Sequence, residues 1–297
     1  MANFEASGKL MLFGEYLVLC GSKSLAVPTV FGQKMMVEPN DNGQLHWSAY
    51  EPNGQWFSCR MDQSLAIQES SDHLVAEKLQ NLLTEVRKQR NTVSMSGTFT
   101  LSVDFDLSWG LGSSSTLISL LSQWSGVDPF ELSDSTFGGS GYDVACATAS
   151  QPILFQRSKP SPIVEPVSLS PNVADHILFV FSGQKQSSAN EVQKFNRRNI
   201  DQTEVDRMSD LVDATSMCDS IETFERLVKD SEQFVSRILG REPIGQQRFG
   251  DYQYAVKSLG AWGGDFFLAT FRDLNTAKSY FIDRGYTTSF SYGELAK

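Results

Sequence analysis

Apolar and polar residues alternate strictly over Thr98-Phe99-Thr100-Leu101-Ser102-Val103, which predicts a strand with one buried face. Thr116-Leu117-Ile118-Ser119-Leu120-Leu121-Ser122-Gln123-Trp124 instead predicts a helix. Upstream, residues 3–38 mix short apolar runs with turn residues, as in a meander of strands, and Leu10-Met11-Leu12-Phe13 is the most compact run. The turn clusters Pro39-Asn40-Asp41-Asn42-Gly43 and Glu51-Pro52-Asn53-Gly54 predict two hairpins over 39–63. Leu74, Leu79, Leu82, Leu83 and Val86 lie near helical spacing and predict a helix over 73–90, with Asp72 or Ser71 as its cap.

Pro152-Ile153-Leu154-Phe155 and Ile163-Val164-Glu165 read as strands; the second falls in a stretch rich in Pro and Ser, 157–172, that marks a domain boundary. A strand at Ile177-Leu178-Phe179-Val180-Phe181 opens the second half, followed by a polar turn over 182–188. Helical segments are expected over 189–198, 203–217, 220–239 and 245–257. Phe224, Leu227, Val228, Phe234, Val235, Ile238 and Leu239 share one side of the third of these. A strand over 266–271, a helix over 274–284 and a closing strand over 286–292 complete an α+β pattern.

Composition narrows the function classes. The 297 residues are 40% hydrophobic and 20% charged, ordinary for a globular chain. A net charge of -10 disfavours nucleic-acid binding, which needs a basic face. No apolar run approaches the ~20 residues of a membrane span, so no membrane partner is expected. The four cysteines form no CxxC pair and read as reduced thiols of a cytoplasmic protein. Met1-Ala2-Asn3-Phe4-Glu5 lacks the basic start and apolar core of a signal peptide. His46, His73 and His176 are scattered, which disfavours a His-centred triad or metal site.

Three glycine-rich clusters carry the candidate chemistry. In Trp109-Gly110-Leu111-Gly112-Ser113-Ser114-Ser115-Thr116, a strand leads through glycines into a helix. Backbone amides there can approach an anion closely, and the positive end of the helix dipole points the same way. The alternative is a Gly/Ser loop whose serines only cap the helix. No Lys follows the last Gly, so it is not a P-loop. In Gly138-Gly139-Ser140-Gly141-Tyr142-Asp143, Asp143 is either a helix cap or a carboxylate held close to a ligand. Lys257-Ser258-Leu259-Gly260-Ala261-Trp262-Gly263-Gly264-Asp265 is the third. Lys9 and Glu15 flank the first apolar run, and taken alone read as surface residues.

Together these segments resemble the GHMP small-molecule kinases. Ser7-Gly8-Lys9-Leu10-Met11-Leu12-Phe13-Gly14-Glu15-Tyr16 is similar to their first signature, Gly110-Leu111-Gly112-Ser113-Ser114-Ser115 to the ATP-binding second, and Gly260-Ala261-Trp262-Gly263-Gly264-Asp265 to the third. Gly139-Ser140-Gly141-Tyr142-Asp143 resembles the segment that supplies the catalytic aspartate in mevalonate and phosphomevalonate kinases. The resemblance implies a two-domain fold: residues 1–165 as an ATP-binding domain like domain 2 of ribosomal protein S5, and 166–297 as a ferredoxin-like domain. It implies ATP and Mg²⁺ as cofactors and transfer of the γ-phosphoryl group to a small-molecule substrate.

Carried over residue by residue, the resemblance makes Asp143 the group that orients or deprotonates the acceptor. Lys9 keeps that aspartate ionised. Gly110, Leu111, Gly112, Ser113, Ser114 and Ser115 hold phosphates, and Ser114 meets magnesium. Glu15, Ser140, Lys185, Ser187, Ser188, Gly263 and Gly264 fall on the substrate side, with Arg197 and Arg198 as weaker candidates. The proline that usually precedes the second signature is absent from Asp106-Leu107-Ser108-Trp109, and Trp262 stands where the third has glycine. No residue clearly matches the magnesium glutamate; Glu131 and Asp134 are the candidates. Mevalonate or phosphomevalonate is the expected acceptor. A decarboxylase acting on diphosphomevalonate, a sugar kinase and a non-catalytic nucleotide-binding relative are the alternatives, and the assembly, homodimer included, is open.

Overall fold

The computed structural model describes residues 1–184, 191, 194–195, 199–262 and 265–297. They form two compact units that interleave along the chain: Met1–Gly8, Phe31–Leu107 and Leu111–Thr148 make the first, and Lys9–Val30, Ser108–Gly110 and Ala149–Lys297 the second. Two long strands, β1 (Ala2–Phe13) and β2 (Lys23–Glu38), pass from one unit to the other where a meander of shorter strands was expected.

In the first unit the end of β2 is followed by β3 (Leu45–Glu51), β4 (Gly54–Met61), β5 (Ile67–Ser70) and β6 (Gly97–Val103), in the order β5-β4-β3-β6-β2. The turn at Glu51–Gly54 closes a β3–β4 hairpin. The turn over 39–43 does not close one: β6 lies between β2 and β3, antiparallel to the first and parallel to the second. Gly32 of β2 is obligatory here, because a Cβ would lie 2.3 Å from the Ala6 carbonyl oxygen of β1. Helix α1 (His73–Gln89) starts where Asp72 accepts from the Leu74 and Val75 amides, and buries Ala76, Leu79, Leu82, Leu83 and Val86. Helices α2 (Ser113–Ser125), α3 (Pro129–Thr136) and α4 (Tyr142–Thr148) pack on one another. The core holds Trp47 stacked on Phe99 with centroids 5.4 Å apart, and Trp124 of α2 edge-on to the same ring at 5.0 Å.

In the second unit the start of β2 pairs with β7 (Ile153–Gln156), which pairs with β8 (Ile163–Pro166). A four-stranded antiparallel sheet has the order β10-β11-β9-β12, formed by β9 (Ile177–Phe181), β10 (Val256–Ser258), β11 (Phe266–Thr270) and β12 (Ser289–Ser291). Among the described residues this unit also holds helices α5 (Pro171–Ala174), α6 (Gln202–Ser216), α7 (Ile221–Leu239), α8 (Ile244–Arg248), α9 (Leu274–Ile282) and α10 (Tyr292–Leu295). The helix expected over 245–257 ends at Arg248, and Val256–Ser258 is a strand on the edge of the sheet. Phe249, Phe267 and Phe281 form the centre of its core. No described helix is long and apolar enough to cross a membrane.

Candidate active site

The second unit gathers parts of all three glycine-rich signatures. Lys9, half-buried on β1, donates from Nζ to the Gly110 carbonyl oxygen at 3.0 Å. Gly110 has φ +69, and a Cβ there would fall 2.3 Å from the Asp265 carboxyl carbon. Both its backbone angle and the carboxylate beside it therefore demand glycine. Asp265 is tied down in turn: its amide donates to Gln184 O and its carbonyl accepts from the Ser182 amide, each at 2.7 Å. Tyr16 Oη donates to Ala261 O at 2.9 Å. The two side-chain bonds from Lys9 and Tyr16 span 101 and 245 positions of sequence.

In the first unit, Gly112 stands at the N-cap of α2 with φ +94, and no side chain caps the turn. The Ser115 hydroxyl donates to Gly112 O at 2.9 Å, and Thr116 Oγ1 donates to Gln33 Oε1 at 2.7 Å. These bonds and the buried Leu111 side chain fix the turn. The Ser115 hydroxyl is thus committed to the loop, whereas Ser114 is exposed at the positive end of a 13-residue helix. The arrangement suits an anion, because first-turn amides and dipole act together.

Asp143 is also in this unit, in the first turn of α4 and half-exposed, with Oδ1 accepting from the Val144 amide at 3.1 Å. Ser140 precedes it between Gly139 and Gly141, both at positive φ. Glu131 is exposed in the first turn of α3, and Asp128 caps that helix. No group of three His, Cys, Asp or Glu side chains converges as a metal cluster among the described residues. Lys185, Ser187, Ser188, Arg197, Arg198, Gly263 and Gly264 lie outside the described residues.

No family model matches the sequence, and no curated protein does. Solved structures do match over nearly the whole chain. Streptococcus pneumoniae phosphomevalonate kinase in complex with phosphomevalonate and AMPPNP aligns with a TM-score of 0.73 at 19% identity, over 98% of this chain and 99% of that one. L. major mevalonate kinase in complex with R-mevalonate aligns at 0.65 and 17%, over 98% and 94%. A D-glycero-D-manno-heptose 1-phosphate kinase from Bacteriodes thetaiotaomicron aligns at 0.62 and 13%, over 99% and 95%. The chain has the GHMP kinase fold.

Both sequence departures from the GHMP pattern have structural counterparts in this fold. Where a proline usually precedes the second signature, Trp109 packs edge-on to Phe290 and Phe266, with centroids 5.2 and 6.3 Å away. Where the third signature has glycine, Trp262 keeps a left-handed backbone with φ +52. A tryptophan there costs of order 1 kcal/mol that glycine would not.

Glu15 is completely buried, and its carboxylate pairs with the equally buried Lys257 ammonium. Lys257 also donates to Ser258 O at 3.0 Å and lies 5.4 Å from the centre of the Phe13 ring. Glu232 of α7 completes the cluster, accepting from the Ile244 amide, the Ser258 amide and the Ser258 hydroxyl, each at 3.1 Å. Burial pushes Glu232 up to about 7, against the pull of Lys257. Burial likewise raises Glu15, opposed by its bond to Lys257. Glu232 is the residue that sequence reasoning missed. A signal was present: it lies four positions from Val228 and eight from Phe224, a carboxylate inside an apolar stripe.

Proposed function

We propose that this protein is an ATP-dependent kinase that moves the γ-phosphoryl group of ATP onto a small acidic metabolite, mevalonate or phosphomevalonate. The observation that carries the reading is the meeting of Lys9, Gly110, Tyr16, Ala261 and Asp265 in one unit of a chain with the GHMP kinase fold. Phosphoryl transfer is mostly positioning and charge stabilisation, so a rigid, donor-rich glycine loop suits it. The α2 start and Ser114 would hold the phosphates of ATP. Asp143 would orient and deprotonate the acceptor hydroxyl, and Lys9 would offset the charge that develops on the transferring group.

Magnesium fits the donor set in a limited way. Mg²⁺ keeps several waters and leans on substrate phosphates, needing one or two protein oxygens. The exposed Ser114 hydroxyl suits that role, and Glu131 is the carboxylate proposed beside it. When bound, the ion would supply charge to the phosphate oxygens. Matching residues 1–165 to a domain like domain 2 of ribosomal protein S5 and 166–297 to a ferredoxin-like domain is part of the proposal. The β9–β12 strand order supports the second assignment. Similarity to the heptose 1-phosphate kinase keeps a sugar acceptor as the second reading.

The test is Asp143→Ala. ADP release in the presence of acceptor should disappear, while AMPPNP binding by calorimetry stays within a few-fold of the parent chain. Loss of nucleotide binding in that variant would give Asp143 a structural role and sink the assignment.

A further inference from the structure

Ser258 closes β10, an edge strand with no described strand beyond it, and stands two residues before Gly260, where the third signature begins. An edge residue ordinarily turns its outward backbone groups to water. Ser258 is 4% exposed and cannot. Its amide donates to Glu232 Oε2 and its hydroxyl to Glu232 Oε1, each at 3.1 Å. Its carbonyl accepts from Lys257 Nζ at 3.0 Å. Every polar group of this one residue is held by a charged side chain that is itself buried.

A neutral residue could not replace Glu232 here. The Ile244 amide also donates to Oε1 at 3.1 Å, so three donors converge on one side chain. A carboxylate accepts on both oxygens, whereas a glutamine would turn an N–H toward one of the two amides. The same stretch is fixed from the other side by adjacent residues of the first signature. Glu15 pairs with Lys257, and Tyr16 donates to Ala261 O at 2.9 Å. Gly260, at φ +60 with open space around its missing Cβ, makes the turn between these two anchors. Burying such charged groups is costly, and they sit where the chain enters the glycine segment.

We infer that Glu232 is a positioning residue for the third glycine segment: it sets the backbone at Ser258, and with it the geometry in which the first and third signatures meet. Glu232 makes none of the contacts proposed for ATP or acceptor, so it acts only through the residues it holds. For the segment itself this role rests on the hydrogen bonds to Ser258 and Ile244. For turnover it rests on the proposed kinase function, in which that segment lies on the substrate side.

Amide hydrogen exchange on the full chain without nucleotide, read by mass spectrometry, tests the hold on the segment. In Glu232→Gln the amides of 258–262 should exchange about tenfold faster, the size of one lost hydrogen bond, while β9 and β11 keep the parent's rates. Ser258→Ala removes the hydroxyl, keeps both amides, and should speed the same residues by a smaller factor; it carries the test if Glu232→Gln does not fold. With an acceptor that turns over, Glu232→Gln should lower kcat about 10²-fold, as a small misplacement does. KM for ATP should stay within a few-fold, at a temperature below the variant's thermal midpoint. Exchange unchanged in 258–262, or raised equally in β9 and β11, would overturn the assignment, as would an unchanged kcat. Failure of the kinase reading shows separately, as a parent chain that releases no ADP.

Discussion

Lys9 shows how much one side chain can carry. Its ammonium donates to Gly110 O and the side chain is half-buried. Replacing it with Met keeps the stem and deletes the charge. On the proposed mechanism Lys9→Met should lower kcat by about 10²- to 10³-fold, as loss of a single stabilising donor does elsewhere, with nucleotide affinity nearly unchanged. Steady-state kinetics on the purified variant checks this; an unchanged kcat removes Lys9 from the mechanism. Gly110 was legible in the sequence because glycine patterning advertises backbone requirements, whereas Lys9 taken alone reads as a surface residue and only the resemblance singles it out. Glu15 was legible as a candidate but not in its environment. Its partner Lys257 is 242 positions away, and only the fold brings them together.

At the scale of elements, the junction of α7, β10 and the Gly14–Tyr16 segment holds two buried carboxylates and one lysine. Removing the cation strands a buried charge, which costs about 3–5 kcal/mol. Lys257→Met should destabilise the fold by that order in urea melts, and adding Glu15→Gln should recover part of the loss. Additive losses would mean that the pair is not coupled. Glu232 gives a pH signature. Its carboxyl has an ordinary value of 4.5 and titrates at about 7 in the fold. Below pH 4.5 both folded and unfolded chains hold the proton. Between 4.5 and 7 the unfolded chain releases it first, so stability falls with rising pH, by roughly 3 kcal/mol in all. Glu232→Gln should flatten that slope, whereas an unchanged slope would assign the dependence to another group. Elements also show where sequence reading ends. Turn residues at 39–43 predict a reversal, and the chain does reverse, but β6 takes the place beside β2. A local turn signal carries no information about a strand that arrives fifty residues later. Capping and periodicity, by contrast, are local, and α1 and α7 follow them closely.

At the scale of the whole molecule, the second unit draws on the first strand, on residues 108–110 and on the last half of the chain. That interleaving is why three weak motifs, far apart in sequence, combine into one strong pattern. Each glycine cluster alone is compatible with an ordinary turn. Their meeting through Lys9–Gly110, Gly110–Asp265 and Tyr16–Ala261 is not a property of any turn. Acceptor identity was never legible in this way, because it depends on a few side-chain directions that motif spacing does not encode. The most direct measurement is therefore ADP release from Mg-ATP across mevalonate, phosphomevalonate, diphosphomevalonate, homoserine and galactose. The account predicts turnover with mevalonate or phosphomevalonate and no CO₂. ATP that binds but yields no ADP with any of the five would contradict it.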